Sequence, residues 1–128
     1  MRNFYEEPLN IRNVKLIAAQ NAWKEMLATI RPGAGSRGKV AVIGGGPAGL
    51  STAFFLSRAG WKVSVFEKAK KLGGIVRKVI PEFRISSESI DHDIDIIKTY
   101  GAEIHTGVER VCVKGLKEQG FDHVVLAI

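Results

Sequence analysis

A chain of 128 residues, 45% apolar and 25% charged, can bury one core and is about one domain long. Its longest apolar runs, Val40 to Ile43 and Val124 to Ile128, are too short to cross a bilayer, and the N-terminus has no apolar leader core. The single cysteine, Cys112, excludes an internal disulfide, so a cytoplasmic location is expected.

The net charge of +6 is concentrated in two stretches, Met1 to Lys39 and Lys62 to Arg84. No nucleic-acid motif accompanies either, and most of these charges read as solvated faces. Asn10 followed by Ile11, Val14, Ile17, Ala18, Ala22, Met26 and Ile30 predicts an amphipathic helix with an Asn N-cap. Pro32 to Gly38 interrupts regular structure and reads as a linker. Residues 1–37 are therefore expected to be an appendage, either an extra layer or the end of a preceding helical domain, and residues 38–128 the main domain.

From Lys39 the pattern is α/β. Lys39 to Ile43 predicts a buried strand, Pro47 to Ala59 a helix, and Lys62 to Glu67 a second strand. A Lys/Gly-rich loop runs through Gly74. Ser86 or Ser87 can N-cap a helix to Tyr100, with Gly101 at its C′ position. Glu103 to Val108 reads as a strand, Val111 to Val113 as a weaker one, and Leu116 to Gln119 as a helical turn. The last strand, His123 to Ile128, is apolar enough to be central and buried on both faces. A chain ending within such a strand is expected to be truncated.

Gly44-Gly45-Gly46-Pro47-Ala48-Gly49 fills Gly-x-Gly-x-x-Gly between the first strand and its helix. Gly44 permits the tight turn, Gly46 lets backbone approach a pyrophosphate, and Gly49 allows close helix packing. Pro47 suits the first turn of a helix whose N-terminus favours an anion. Glu67, ending the second strand, is placed to accept hydrogen bonds from a ribose 2′-OH. No Gly-Lys-Ser/Thr follows, which argues against a kinase-type phosphate loop. A second pair, Gly73-Gly74, lies just beyond Glu67, where simple NAD dehydrogenases usually lack one. It favours FAD, whose bound form such a loop would flank.

The run Val40 to Leu50, with Phe66-Glu67-Lys68, Leu72-Gly73-Gly74 and Ile80-Pro81-Glu82-Phe83-Arg84-Ile85, resembles the FAD-binding half of the glutamate synthase small-subunit family. That family includes the flavin part of dihydropyrimidine dehydrogenase and large iron–sulfur oxidoreductases of the selenate reductase kind. Glu7-Pro8-Leu9-Asn10-Ile11-Arg12 is similar to the segment after the iron–sulfur cysteines of these proteins. The resemblance implies a Rossmann-type FAD-binding βαβ half-domain with a mainly parallel sheet. Gly44, Gly46, Pro47, Ala48 and Gly49 would hold the pyrophosphate and Glu67 the ribose. Leu72, Gly73 and Gly74 would lie along FAD, Arg84 would reach it, and Val108 would touch its adenine side. Val79 and Ser86 depart from the family's Gly and Pro, which leaves the loop path there open.

The resemblance further implies electron passage from NAD(P)H through FAD to iron–sulfur centres. The partners would be the rest of a parent polypeptide or iron–sulfur subunits, and this stretch alone is expected to be inactive. A small NAD-dependent dehydrogenase domain and a non-catalytic interaction module remain alternatives. No acid–base pair or nucleophile emerges. His92, His105 and His123 lack ligand spacing, and Asp91, Asp93 and Asp95 diverge around a helix. Cys112 is expected to be a buried small residue, and Trp23 and Trp61 to anchor packing.

Overall fold

The computed structural model describes residues 9–128. Helix α1 spans Ile11–Thr29, β1 Lys39–Ile43, α2 Pro47–Arg58 and β2 Lys62–Glu67. They are followed by α3 Gly74–Val79, α4 Ser87–Thr99, β3 Glu103–Thr106, α5 Val113–Glu118 and β4 His123–Leu126. The four strands form one parallel sheet in the order β3-β2-β1-β4. The α/β class and parallel sheet expected from the sequence are what the chain adopts.

The core follows from two periodicities. Val40 and Val42 on β1 pair in register with Val63 and Val65 on β2, all pointing to one face of the sheet. Ile90, Ile94 and Ile97 form one stripe of α4, and Leu50 and Ala53 one stripe of α2, and both stripes cover that face. Each fully buried Val or Ile contributes about 1.5–3 kcal/mol, so these residues dominate the stability of the domain. Ser86 caps α4 by accepting from the Ser89 N–H at 3.1 Å, and Gly101 follows the helix at φ 94°.

Three expectations need correction. The segment Val111 to Val113 is not a strand. The Cys112 carbonyl accepts from the Leu116 N–H at 3.0 Å, and burying Leu116 draws the segment into α5, which starts at Val113. Cys112 is accordingly exposed at the N-cap of α5, not buried. The helix at Asn10 forms, with the Asn10 side chain accepting from the Asn13 N–H, but it has no buried residue. Its apolar side chains are distributed around the axis and do not form one stripe along its length. It meets the body near its C-terminal end, where Trp23 stacks on His92 of α4 at 3.8 Å between ring centroids and C-cap Ile30 is buried.

The linker packs against the end of α2, where the Arg37 N–H donates to the Gly60 carbonyl. Glu7 and Pro8 lie outside the described residues. No described helix is long and apolar enough to cross a membrane, and no described cluster of three His, Cys, Asp or Glu could hold a metal.

Candidate dinucleotide site

The sheet order places the reversal of connectivity between β1 and β4. The chain runs outward from β1 through β2 to β3, then returns to the other side of β1. In open α/β sheets, ligands bind at the carboxyl ends of the strands at such a point. The glycine turn occupies it: the Gly44 N–H donates to the Phe66 carbonyl at 2.8 Å, and the Ala127 N–H to the Ile43 carbonyl at 2.8 Å.

The glycines in this turn are glycine for different reasons. Gly44 has φ 113°, and a Cβ there would lie 2.3 Å from the Ala127 carbonyl oxygen. A Cβ on Gly49 would lie 1.9 Å from the Gly44 oxygen, so α2 crosses the turn too closely for any side chain. Gly46 is unlike both. Its φ of −81° suits any residue, and a Cβ would meet only the Gly74 Cα, at 3.9 Å. The fold itself leaves that position free for a side chain.

Gly46 is also the N-cap of α2, with Pro47 at the first helical position. Among the described residues, the N–H groups of Gly46, Ala48 and Gly49 donate to no protein acceptor. Three free donors at the positive end of a helix form a cradle suited to an anion. Pro47 and Ala48 are exposed on its rim.

Glu67 is 7% exposed at the end of β2. One carboxylate oxygen accepts from the Gly45 N–H at 2.7 Å and the other from the Ala69 N–H at 2.8 Å. The carboxylate thus ties the turn to the second strand and retains lone pairs for further donors. Gly45, at a wildcard position of the motif, escapes the sequence reading yet joins the whole site. Beyond its bond to Glu67, its carbonyl accepts from the Gly73 N–H at 2.8 Å, and a Cβ there would lie 2.3 Å from the Leu72 side chain. The third consecutive glycine is the one signal in the sequence that marks it.

Leu72 and Gly73 are buried, and Gly74 abuts the turn so closely that a Cβ would lie 2.8 Å from the Gly46 Cα. The second glycine pair therefore forms the far wall of the cradle. Pro47 and Gly73 also line a cavity of about 710 Å³ between α2 and α4, with Leu50, Phe54, Val76 and Ile97 as apolar walls. Val108 lies beside Glu67, its N–H donating to the Glu67 carbonyl at 3.0 Å. Arg84 stands apart. It is exposed in a turn closed by its own N–H to the Pro81 carbonyl, without a hydrogen bond or ion pair to the cradle among the described residues.

Residues 42–118, more than half of the chain, match the model of the NAD(P)-binding Rossmann-like domain family. YgfK of Escherichia coli (strain K12), an oxidoreductase by name, is 43% identical over 126 residues, covering 96% of this chain and 12% of YgfK. The glutamate synthase (NADPH) small chain of Mycobacterium tuberculosis (strain CDC 1551 / Oshkosh) is 36% identical over 126 residues, covering 95% of this chain and 26% of that protein. The solved structure of histamine dehydrogenase from Rhizobium sp. 4-9 is similar with a TM-score of 0.60 and 29% identity, over 76% of this chain and 15% of that one. The chain thus spans about a quarter or less of the length of these relatives. The resemblance to the glutamate synthase small-subunit family holds, and the relatives carry the names of oxidoreductases. With the turn, the parallel sheet and the matched segment all in agreement, the chain belongs to the NAD(P)-binding Rossmann-like domain family.

Proposed function

We propose that this chain is the FAD-holding part of an oxidoreductase that takes electrons from NAD(P)H. The observation that carries the reading is Gly46, a glycine that neither backbone conformation nor protein packing requires. Its missing side chain is explained by a ligand that needs the space. The free N–H groups of Gly46, Ala48 and Gly49 would take the pyrophosphate, and the open lone pairs of Glu67 the adenosine ribose. Leu72, Gly73 and Gly74 would lie along the cofactor, Val108 near its adenine, and the exposed Arg84 would reach it with its guanidinium. Bound there, FAD supplies the redox chemistry, and the chain's residues bind and orient it. Iron–sulfur centres in the parent polypeptide or in partner subunits would receive the electrons, in the cytoplasm. Residues 1–37 would belong to the preceding unit.

The position of Gly73-Gly74 against the turn favours FAD. The family description favours a second reading, NAD(P) in the same cradle. Titrating the protein with FAD, NAD+ and NADP+, followed by flavin and tryptophan fluorescence, separates them. FAD is expected to bind most tightly. Uptake of a nicotinamide dinucleotide without FAD would transfer the site to the second reading, and uptake of none would end both.

Glu67→Gln is expected to weaken both the ligand and the fold. The amide NH2 must face either the Gly45 or the Ala69 N–H, so one bond to the turn is lost at a cost of about 1–3 kcal/mol. Urea unfolding and FAD titration of the variant measure the two effects. Unchanged values in both would remove Glu67 from the site.

A further inference from the structure

The wall of the cradle opposite α2 is built from a segment with little conformational preference of its own. Gly73 and Gly74 both have positive φ, 112° and 53°, so their backbone is free to leave this path unless a neighbour holds it. The Gly73 N–H to Gly45 carbonyl bond is one tether. A second comes from Arg77. Its Nε donates to the Leu72 carbonyl at 2.7 Å, and its guanidinium pairs with the Asp91 carboxylate in the first turns of α4. The Arg77 side chain is only 12% exposed and covers Gly73, where a Cβ would lie 3.1 Å from the Arg77 Cβ and 3.3 Å from its Nε. The fork thus bonds the Leu72 carbonyl directly, and it reaches α4 only through an exposed carboxylate.

Resting on the dinucleotide reading above, we propose that Arg77 is a positioning residue of the site, holding the Leu72–Gly73 wall against the glycine turn in the shape that admits the pyrophosphate. It acts through the wall, since both of its identified partners are protein groups. The two bonds differ in weight. The Leu72 carbonyl has no other donor among the described residues, and the fork reaches it from a covered position. Asp91 is 61% exposed, where an ion pair is weak. The Nε bond is therefore the one that matters.

Three variants test this: Arg77→Met keeps the apolar stem and removes the fork, Asp91→Asn removes only the ion pair, and Lys78→Met removes an exposed neighbouring charge. FAD titration of Arg77→Met should show a dissociation constant raised about tenfold, the loss of one charge-assisted hydrogen bond. Asp91→Asn and Lys78→Met should stay within about twofold of the parent. Amide hydrogen exchange at Gly73, measured without ligand, should speed up in Arg77→Met alone. An Arg77→Met affinity within twofold of the parent would overturn the inference and leave the dinucleotide reading standing. An equal loss in Lys78→Met would also overturn it, reducing Arg77 to a general attraction for anions. If the parent itself binds no dinucleotide, the functional reading fails. Gly73 exchange then decides whether Arg77 holds the wall, and an unchanged rate would overturn that too.

Discussion

Gly46→Val is expected to abolish dinucleotide binding in a chain that still folds. The backbone at Gly46 is extended, with φ −81° and ψ −175°, a region in which valine is at ease. A Cβ there has no protein atom closer than the Gly74 Cα at 3.9 Å. As an N-cap, glycine offers no side-chain acceptor, so the helix forfeits only a few tenths of a kcal/mol to about 1 kcal/mol. The ligand meets a different surface. The added methyl groups would stand at the helix N-terminus beside the free N–H groups of Ala48 and Gly49, and the pyrophosphate is expected to lose its approach to them. A rise of at least about a hundredfold in the dissociation constant is expected, which corresponds to ~2.7 kcal/mol. Fluorescence titration gives the affinity, and circular dichroism with thermal melting confirms the fold. Gly46→Ala should be intermediate in binding and nearly neutral in stability. A folded Gly46→Val protein with parental affinity would show that the ligand approaches elsewhere.

Much of this site was legible because its glycines carry geometry with them. Gly44, Gly46 and Gly49 sit where strand, turn and helix meet, and the turn role of Gly44 and the close-packing role of Gly49 could be assigned from spacing. Gly45 could not, because the motif allows any residue at its position. Its constraint arises from Leu72 and Gly73, which are remote in sequence and arrive through the fold. Helix α3 was equally hidden: six residues starting at a glycine carry too little periodicity, and the bonds of Arg77 to Leu72 nearby and to Asp91 of α4 support it. Val111 and Val113 have the β-branched character of a strand, but burial of Leu116 outweighs local propensity there. The Glu67 carboxylate was found by position, whereas its bonds to Gly45 and Ala69 required the folded turn.

Gly49→Ala inverts an expectation from helix propensity. Glycine inside a helix is about 0.8–1.0 kcal/mol less favourable than alanine, so the substitution taken by itself should stabilise α2. In this helix it cannot. The new Cβ would lie 1.9 Å from the Gly44 carbonyl oxygen and 2.9 Å from its carbonyl carbon, and both are backbone atoms. Gly44 has little room to retreat. Its N–H is bonded to the Phe66 carbonyl, and its own α-carbon is packed against the Ala127 carbonyl with φ 113°. Relief must come from lifting α2 off the strand, which would open the contacts of Leu50 and Ala53 with Val42 and its neighbours. The net loss is expected to be about 3 kcal/mol, a large fraction of a typical domain's 5–15 kcal/mol. Urea denaturation of Gly49→Ala beside Gly46→Ala measures it directly, since both add one methyl group within the same turn. The first should unfold at much lower denaturant, and the second close to the parent. If Gly49→Ala proves as stable as the parent, α2 does not cross the turn at this distance, and the cradle built on that crossing falls with it.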